Sequence, residues 1–131
     1  MITARPAEAS DLNFIYATML NSLYYGCPFY SAIDKKSFFY HYQQVIKQML
    51  LKRSISLIVA CLDDEPDIIL GWVAHEPTIV HFVYVKNAWR KQGIATQLLK
   101  GCSQLSFVTH ITALGDNIRK EKGLKFDPFL I

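Results

Sequence analysis

Six consecutive residues, Arg90-Lys91-Gln92-Gly93-Ile94-Ala95, bring two cations and two small residues to the point where a strand-like run, Val83-Tyr84-Val85, gives way to a helical pattern. The first turn of a helix leaves backbone N–H groups unpaired, with the positive end of the helix dipole behind them. Gly93 has no side chain to hold a ligand away, and Ala95 has almost none. Arg90 and Lys91 add positive charge. Together these features suit a pyrophosphate-sized anion. The same six residues also fit an ordinary solvated helix start. The spacing G-x-G-x-x-G of dinucleotide folds is absent, as is the G-x-x-x-x-G-K-[ST] loop of nucleotide hydrolases.

The elements that must position this segment follow from periodicity. Residues 2–5 read as a first strand, ended by Pro6. Leu12, Ile15, Tyr16, Met19, Leu20 and Leu23 recur at helical spacing after a cap near Ser10. Gly26 and Pro28 mark residues 24–30 as an aromatic loop. A second helix is expected over residues 34–52, with Phe38, Tyr42, Val45 and Met49 on one stripe. Residues 56–62, 68–74 and 79–85 then read as strands joined by short turns, an antiparallel meander. A helix with Ile94, Leu98 and Cys102 on one line follows. Residues 105–111 are expected to form a strand, 116–122 a short polar helix ended by Gly123, and 126–131 a last strand. The fold class is α/β in the broad sense (α+β): a mixed, mostly antiparallel sheet flanked by helices.

Composition sets the outer bounds. A chain of 131 residues, 51% hydrophobic and 19% charged, is expected to form one domain over residues 1–131. The net charge of +3 is a mild bias that shows no clustered basic face, so nucleic acid is not an expected partner. Cys27, Cys61 and Cys102 have no metal-site spacing and read as buried free thiols, so no metal is expected and a reducing, cytoplasmic setting is. Residues 1–6 show no secretory pattern, and no apolar run reaches membrane-spanning length.

In this setting the segment resembles the cofactor motif of the GNAT superfamily of N-acetyltransferases. That motif reads Arg or Gln, two residues, Gly, one residue, then Gly or Ala, as Arg90 to Ala95 does. Val83-Tyr84-Val85, Leu70-Gly71-Trp72-Val73 and the opening Ile2-Thr3-Ala4-Arg5-Pro6 also resemble the family, in order along nearly the whole chain. The resemblance implies transfer of an acetyl group from acetyl-coenzyme A to an amine by direct attack on the thioester. The alternative it leaves open is a non-catalytic acyl-coenzyme A sensor with the same fold. Cofactor contacts are implied for Val83, Tyr84, Val85, Arg90, Lys91, Gln92, Gly93, Ile94, Ala95 and Thr96. The backbones of Val83 and Val85 would hold the pantetheine arm, and the N–H groups from Lys91 to Thr96 the pyrophosphate.

Such a reaction needs a group to take the ammonium proton. Glu76, at the end of the third strand, and His81, within the fourth, are the catalytic candidates. Each also has a plainer reading, as a turn carboxylate and a strand histidine. Two departures from the family stand out. Arg119 occupies the position of a tyrosine that commonly protonates the leaving thiolate, and Leu124 replaces the phenylalanine of the family's Gly-Phe pair. The C-terminus is shortened, without the usual seventh strand, so either the acceptor site is open or a homodimer partner completes the sheet. The resemblance also places the aromatic segment at residues 24–30 on the acceptor side, where tyrosines favour a flat or partly apolar acceptor.

Overall fold

The structure, a computed structural model, describes residues 1–102 and 104–131, without the side chains of residues 113–115. Its strands are β1 (Ile2–Pro6), β2 (Ser56–Leu62), β3 (Ile69–His75), β4 (Ile79–Val85), β5 (Phe107–Val108) and β6 (Lys125–Phe126). Its helices are α1 (Leu12–Gly26), α2 (Pro28–Ser31), α3 (Lys35–Leu50), α4 (Ile94–Leu98) and α5 (Ala113–Lys122). One mixed sheet runs in the order β1-β2-β3-β4-β5-β6. β1 to β4 are antiparallel, and β5 joins β4 in parallel, as β6 joins β5.

Strand alternation divides the core into two layers. Trp72 and Phe82 point to the face covered by α1 and α3, where they meet Ile15, Met19, Phe38 and Met49. Val73, Val83 and Val85 point to the other face, against Ile94, Leu98 and Ile118 of α4 and α5. Trp72 is fully buried, and its indole N–H donates to Thr18 Oγ1 at 2.9 Å, so its one polar atom is satisfied. Fixing this tryptophan fixes the height of α1 over the sheet. Just before the start of α1, Arg5 pairs with Asp11 at 2.8 Å, and the same carboxylate accepts the Glu8 N–H at 2.7 Å.

Gly71 has a separate reason to be glycine. A Cβ there would stand 2.5 Å from the Tyr84 carbonyl oxygen and 3.3 Å from Ile94. The missing side chain lets β3, β4 and α4 close on one another, and α4 thereby comes down onto the end of β4.

Several expected boundaries are corrected. Residues 24–30 are not a loop: α1 continues through Gly26, and Pro28 starts α2, a position that needs no backbone N–H. The helix expected to reach Cys102 ends at Leu98. The strand expected over residues 105–111 pairs only at Phe107–Val108. The helix expected over residues 116–122 begins at Ala113. The last strand is Lys125–Phe126, followed by a 3-10 turn at Pro128–Leu130, because Pro128 cannot donate to a ladder. Of the three thiols, Cys61 is buried while Cys27 and Cys102 are only partly so; all three are free.

Candidate active site

β4 and β5 are in register at two positions, Ile79↔Phe107 and Val80↔Val108. The Thr109 N–H still reaches the Val80 carbonyl at 3.2 Å, and then the strands part. Among the described residues, no strand lies along the outer edge of β4 from Phe82 to Val85. Open space follows that edge. A cavity of about 290 Å³ lies between Arg90, Gly93 and Thr96 on one side and Ile118 and Lys122 of α5 on the other. A second, of about 280 Å³, shares Arg90 with the first and runs past Tyr84, Val83 and Phe82 to Thr112. A narrow gap shares Phe82, Val83 and Thr112 with the second and reaches His110. Beyond His110 lies a third cavity of about 420 Å³, walled by Tyr30, Tyr42 and Phe126.

The loop at the first cavity is bent in an unusual way. Lys91 has φ of 63° and Gly93 has φ of 82°, both left-handed. Glycine adopts that conformation freely, whereas a lysine there is strained and needs its surroundings to hold it. Part of that hold is visible. Arg90 Nε donates to the Val85 carbonyl at 3.0 Å and Nη1 to Asn87 Oδ1 at 3.4 Å, folding the loop back on the end of β4. α4 starts directly after Gly93. Left-handed turns of this kind gather backbone N–H groups into a concave anion site.

The ten residues singled out for cofactor contact do not all face this space. Arg90, Lys91, Gly93, Ile94, Ala95, Thr96 and Val85 line the first cavity, and Val83 and Tyr84 the second. Gln92 lines neither; its side-chain amide donates to the Ala88 carbonyl at 3.4 Å. The Tyr84 ring packs edge-on to Phe14 at 5.9 Å between ring centres, on the opposite face of the sheet.

Glu76 and His81, five residues apart in sequence, meet in space. His81 Nε2 lies 2.5 Å from Glu76 Oε2, and the His81 side chain is fully buried. Glu76 also accepts from Lys52 Nζ at 3.2 Å and from the Ser54 hydroxyl. Burial alone would raise the Glu76 carboxyl, but the donors from Ser54, His81 and Lys52 outweigh it and hold it at about 2. Burial pushes the His81 imidazole below its usual value, against the pull of Glu76. Both ring nitrogens of His81 are occupied, since Nδ1 lies 3.0 Å from Thr109 Oγ1.

The chain of hydrogen bonds continues into the third cavity. Thr109 Oγ1 lies 2.9 Å from His110 Nδ1, which also lies 3.0 Å from the main-chain carbonyl of His81. A carbonyl only accepts, so His110 Nδ1 carries the proton, and Nε2 is left with a lone pair. The Tyr42 hydroxyl bonds to that Nε2 as donor. Burial drives His110 down to about 4 and raises the Tyr42 phenol well above its usual value. A neutral imidazole and a protonated phenol therefore face the aromatic cavity at neutral pH.

Tyr42 and His110 are the groups that sequence reasoning did not single out. Tyr42 sits on a helical stripe that reads as core, and the partnership exists only once α3 meets the segment that follows β5. Arg119 is bound to Asp116 at 2.8 Å and lines none of these cavities. Among the described residues, no group of three or more His, Cys, Asp or Glu could hold a metal ion, and no helix is long and apolar enough to cross a membrane.

No protein-family model matches the chain, and no curated protein sequence matches it. Solved structures do. A GCN5-related N-acetyltransferase from Ralstonia eutropha JMP134 is similar at a TM-score of 0.68 and 13% identity, over 94% of this chain and 92% of that one. A transcriptional regulator from Bacillus halodurans C-125 is similar at 0.57 and 22% identity, over 97% and 93%. AAC(6')-Iy, solved with the bisubstrate analog CoA-S-monomethyl-acetylneamine, is similar at 0.58 and 13% identity, over 95% and 90%. The chain has the mixed, mostly antiparallel fold of the GNAT acetyltransferases.

Proposed function

We propose that this protein is an acetyl-coenzyme A-dependent N-acyltransferase that moves an acetyl group to an amine. The observation that carries this reading is the row of spaces along the uncovered edge of β4. It begins at the strained cationic loop at Arg90 to Thr96 and ends at the Tyr42–His110 pair. A long, thin ligand with an anionic end matches that shape. AAC(6')-Iy, which shares the fold, was solved with a coenzyme A-containing analog.

The residues present fit the group. The backbone of Lys91 to Thr96, with Arg90 and Lys91, would hold the pyrophosphate. The outer backbone groups of Val83 and Val85 would pair with the amides of the pantetheine arm. When bound, acetyl-coenzyme A would supply the activated acetyl carbon for the new bond to nitrogen, with coenzyme A leaving as its thiolate.

The chain's own residues handle the proton. The amine enters uncharged with an N–H on Tyr42 Oη; as the C–N bond forms, the now acidic nitrogen gives that proton to Tyr42 while the Tyr42 proton passes to His110 Nε2. The charge gained by His110 is spread through its Nδ1–H to the His81 carbonyl and through Thr109 toward His81 and the ionised Glu76. In this account Tyr42 is the catalytic residue. His110 takes up the proton behind it, and His81 and Glu76 are positioning residues. Proton handling of this kind contributes about 10²- to 10⁴-fold to rate. The simplest test is thiol release from acetyl-coenzyme A on adding a mixture of primary amines. Release above the hydrolysis rate supports the assignment, and none refutes it.

A further inference from the structure

We infer that the acceptor is a small primary arylalkylamine, a single amine on a one- or two-ring aromatic body. This rests on the acyl-transfer reading above and names the substrate of the same site.

The cavity beyond His110 has the size of a small-ligand pocket, about 420 Å³. Its wall is mostly aromatic and aliphatic: Tyr30, Val45, Ile111, Phe126 and the ring of Tyr42. The Tyr42 ring is held by Phe38, stacked at 5.1 Å and 17°, and by Tyr30 at 5.4 Å. A wall fixed in this way offers flat faces at no ordering cost to an incoming ring. The hydrogen-bonding pair Tyr42–His110 lies at one end, which orients an amine toward β4 and its ring toward the wall.

Charge excludes the commoner amine classes. Among the described residues that line this cavity, the one titratable nitrogen base is His110, which burial keeps neutral, and none is Asp, Glu, Lys or Arg. The carboxylate at the far end of the hydrogen-bonded chain, Glu76, is already taken by Ser54, Lys52 and His81. Polyamines, aminoglycosides and lysine-rich peptides carry several ammonium groups, and no Asp or Glu side chain among the described lining residues is there to pair with them. A monoamine that enters as its free base brings no charge to be paired.

The experiment compares kcat/KM at saturating acetyl-coenzyme A for tryptamine, 2-phenylethylamine, n-hexylamine, spermidine, kanamycin and a lysine peptide. The expected order places the two aromatic amines at least 10-fold above hexylamine and 100-fold above the polycations. Phe126→Ala, at a half-exposed wall position, should raise the KM for tryptamine about 10-fold and leave that for hexylamine nearly unchanged. Turnover that favours spermidine, kanamycin or the peptide overturns the acceptor class and leaves acyl transfer standing. Equal use of hexylamine and the aromatic amines, with no effect of Phe126→Ala, also overturns it. Coenzyme A binding without turnover of any amine overturns the acyl-transfer reading itself.

Discussion

The Nδ1–H of His110 donates to the main-chain carbonyl of His81 at 3.0 Å, bridging β4 and β5 where their ladder ends. One bond thus does two things. It satisfies a carbonyl left behind by the parting strands, and it fixes the His110 tautomer so that Nε2 faces Tyr42. His110→Gln and Tyr42→Phe should each lower kcat by about 10²-fold or more and change the KM for acetyl-coenzyme A little. Steady-state thiol release with a saturating amine checks this. Wild-type kcat in both variants would reject the pair.

The rate should follow the acceptor's ionisation, not a histidine's. Burial holds His110 at about 4, so it stays neutral from pH 6 upward. kcat/KM for the amine should then rise steadily through pH 6 to 9, as the free amine fraction grows. A distinct limb near 6.5, where an unperturbed imidazole titrates, would mean that His110 is not shielded as described.

Stability should fall on mild acidification. His110 binds its proton near 6.5 when unfolded and near 4 when folded. Between those values the unfolded chain holds more protons, so the folded state loses ground as pH drops from 6.5 to 4. The loss is about 3 kcal/mol at most for this group. His81 shifts in the same direction. Glu76 adds a second loss as pH falls from 4.5 toward 2, where its folded-state advantage is removed. Urea unfolding at a series of pH values reads this directly, and His110→Gln should flatten the upper window. An unchanged slope in that variant would contradict the assignment.

Gly71→Ala should destabilise the fold by about 1–3 kcal/mol, because the added methyl meets the backbone oxygen of Tyr84, which has no rotamer to yield with. Thermal unfolding measures it. Stability equal to wild type would show that β3 and β4 can separate at no cost.

The central strands were legible because their pattern is local. β2, β3 and β4 are short apolar runs set off by turn residues, and the meander follows from turns too short for anything else. The turn from strand to helix at Arg90 to Ala95 was legible for the same reason, since the apolar run before it and Gly93 act locally. β5 was overread: residues 105–111 are apolar enough for a strand, but after the Thr109 N–H meets the Val80 carbonyl the Thr109 and His110 side chains turn to each other and to His81, and the ladder ends. The aromatic segment was misread because Gly26 and Pro28 mark ends of helices as well as loops. Tyr42 and His110, 68 residues apart, are joined only by tertiary packing, so no spacing rule could pair them. Glu76 and His81 were named from the sequence as separate candidates, while the hydrogen bond between them became visible only in three dimensions.

The central claim is that the loop after β4 holds the phosphates of acetyl-coenzyme A. Calorimetry of acetyl-coenzyme A with wild type, Gly93→Gln and Gly93→Glu tests it most directly. Both variants strain the left-handed backbone at φ 82°, so the difference between them isolates charge. The account predicts binding to wild type, with Gly93→Glu at least 10-fold weaker than Gly93→Gln. No binding to wild type, or equal affinity in the two variants, would contradict it.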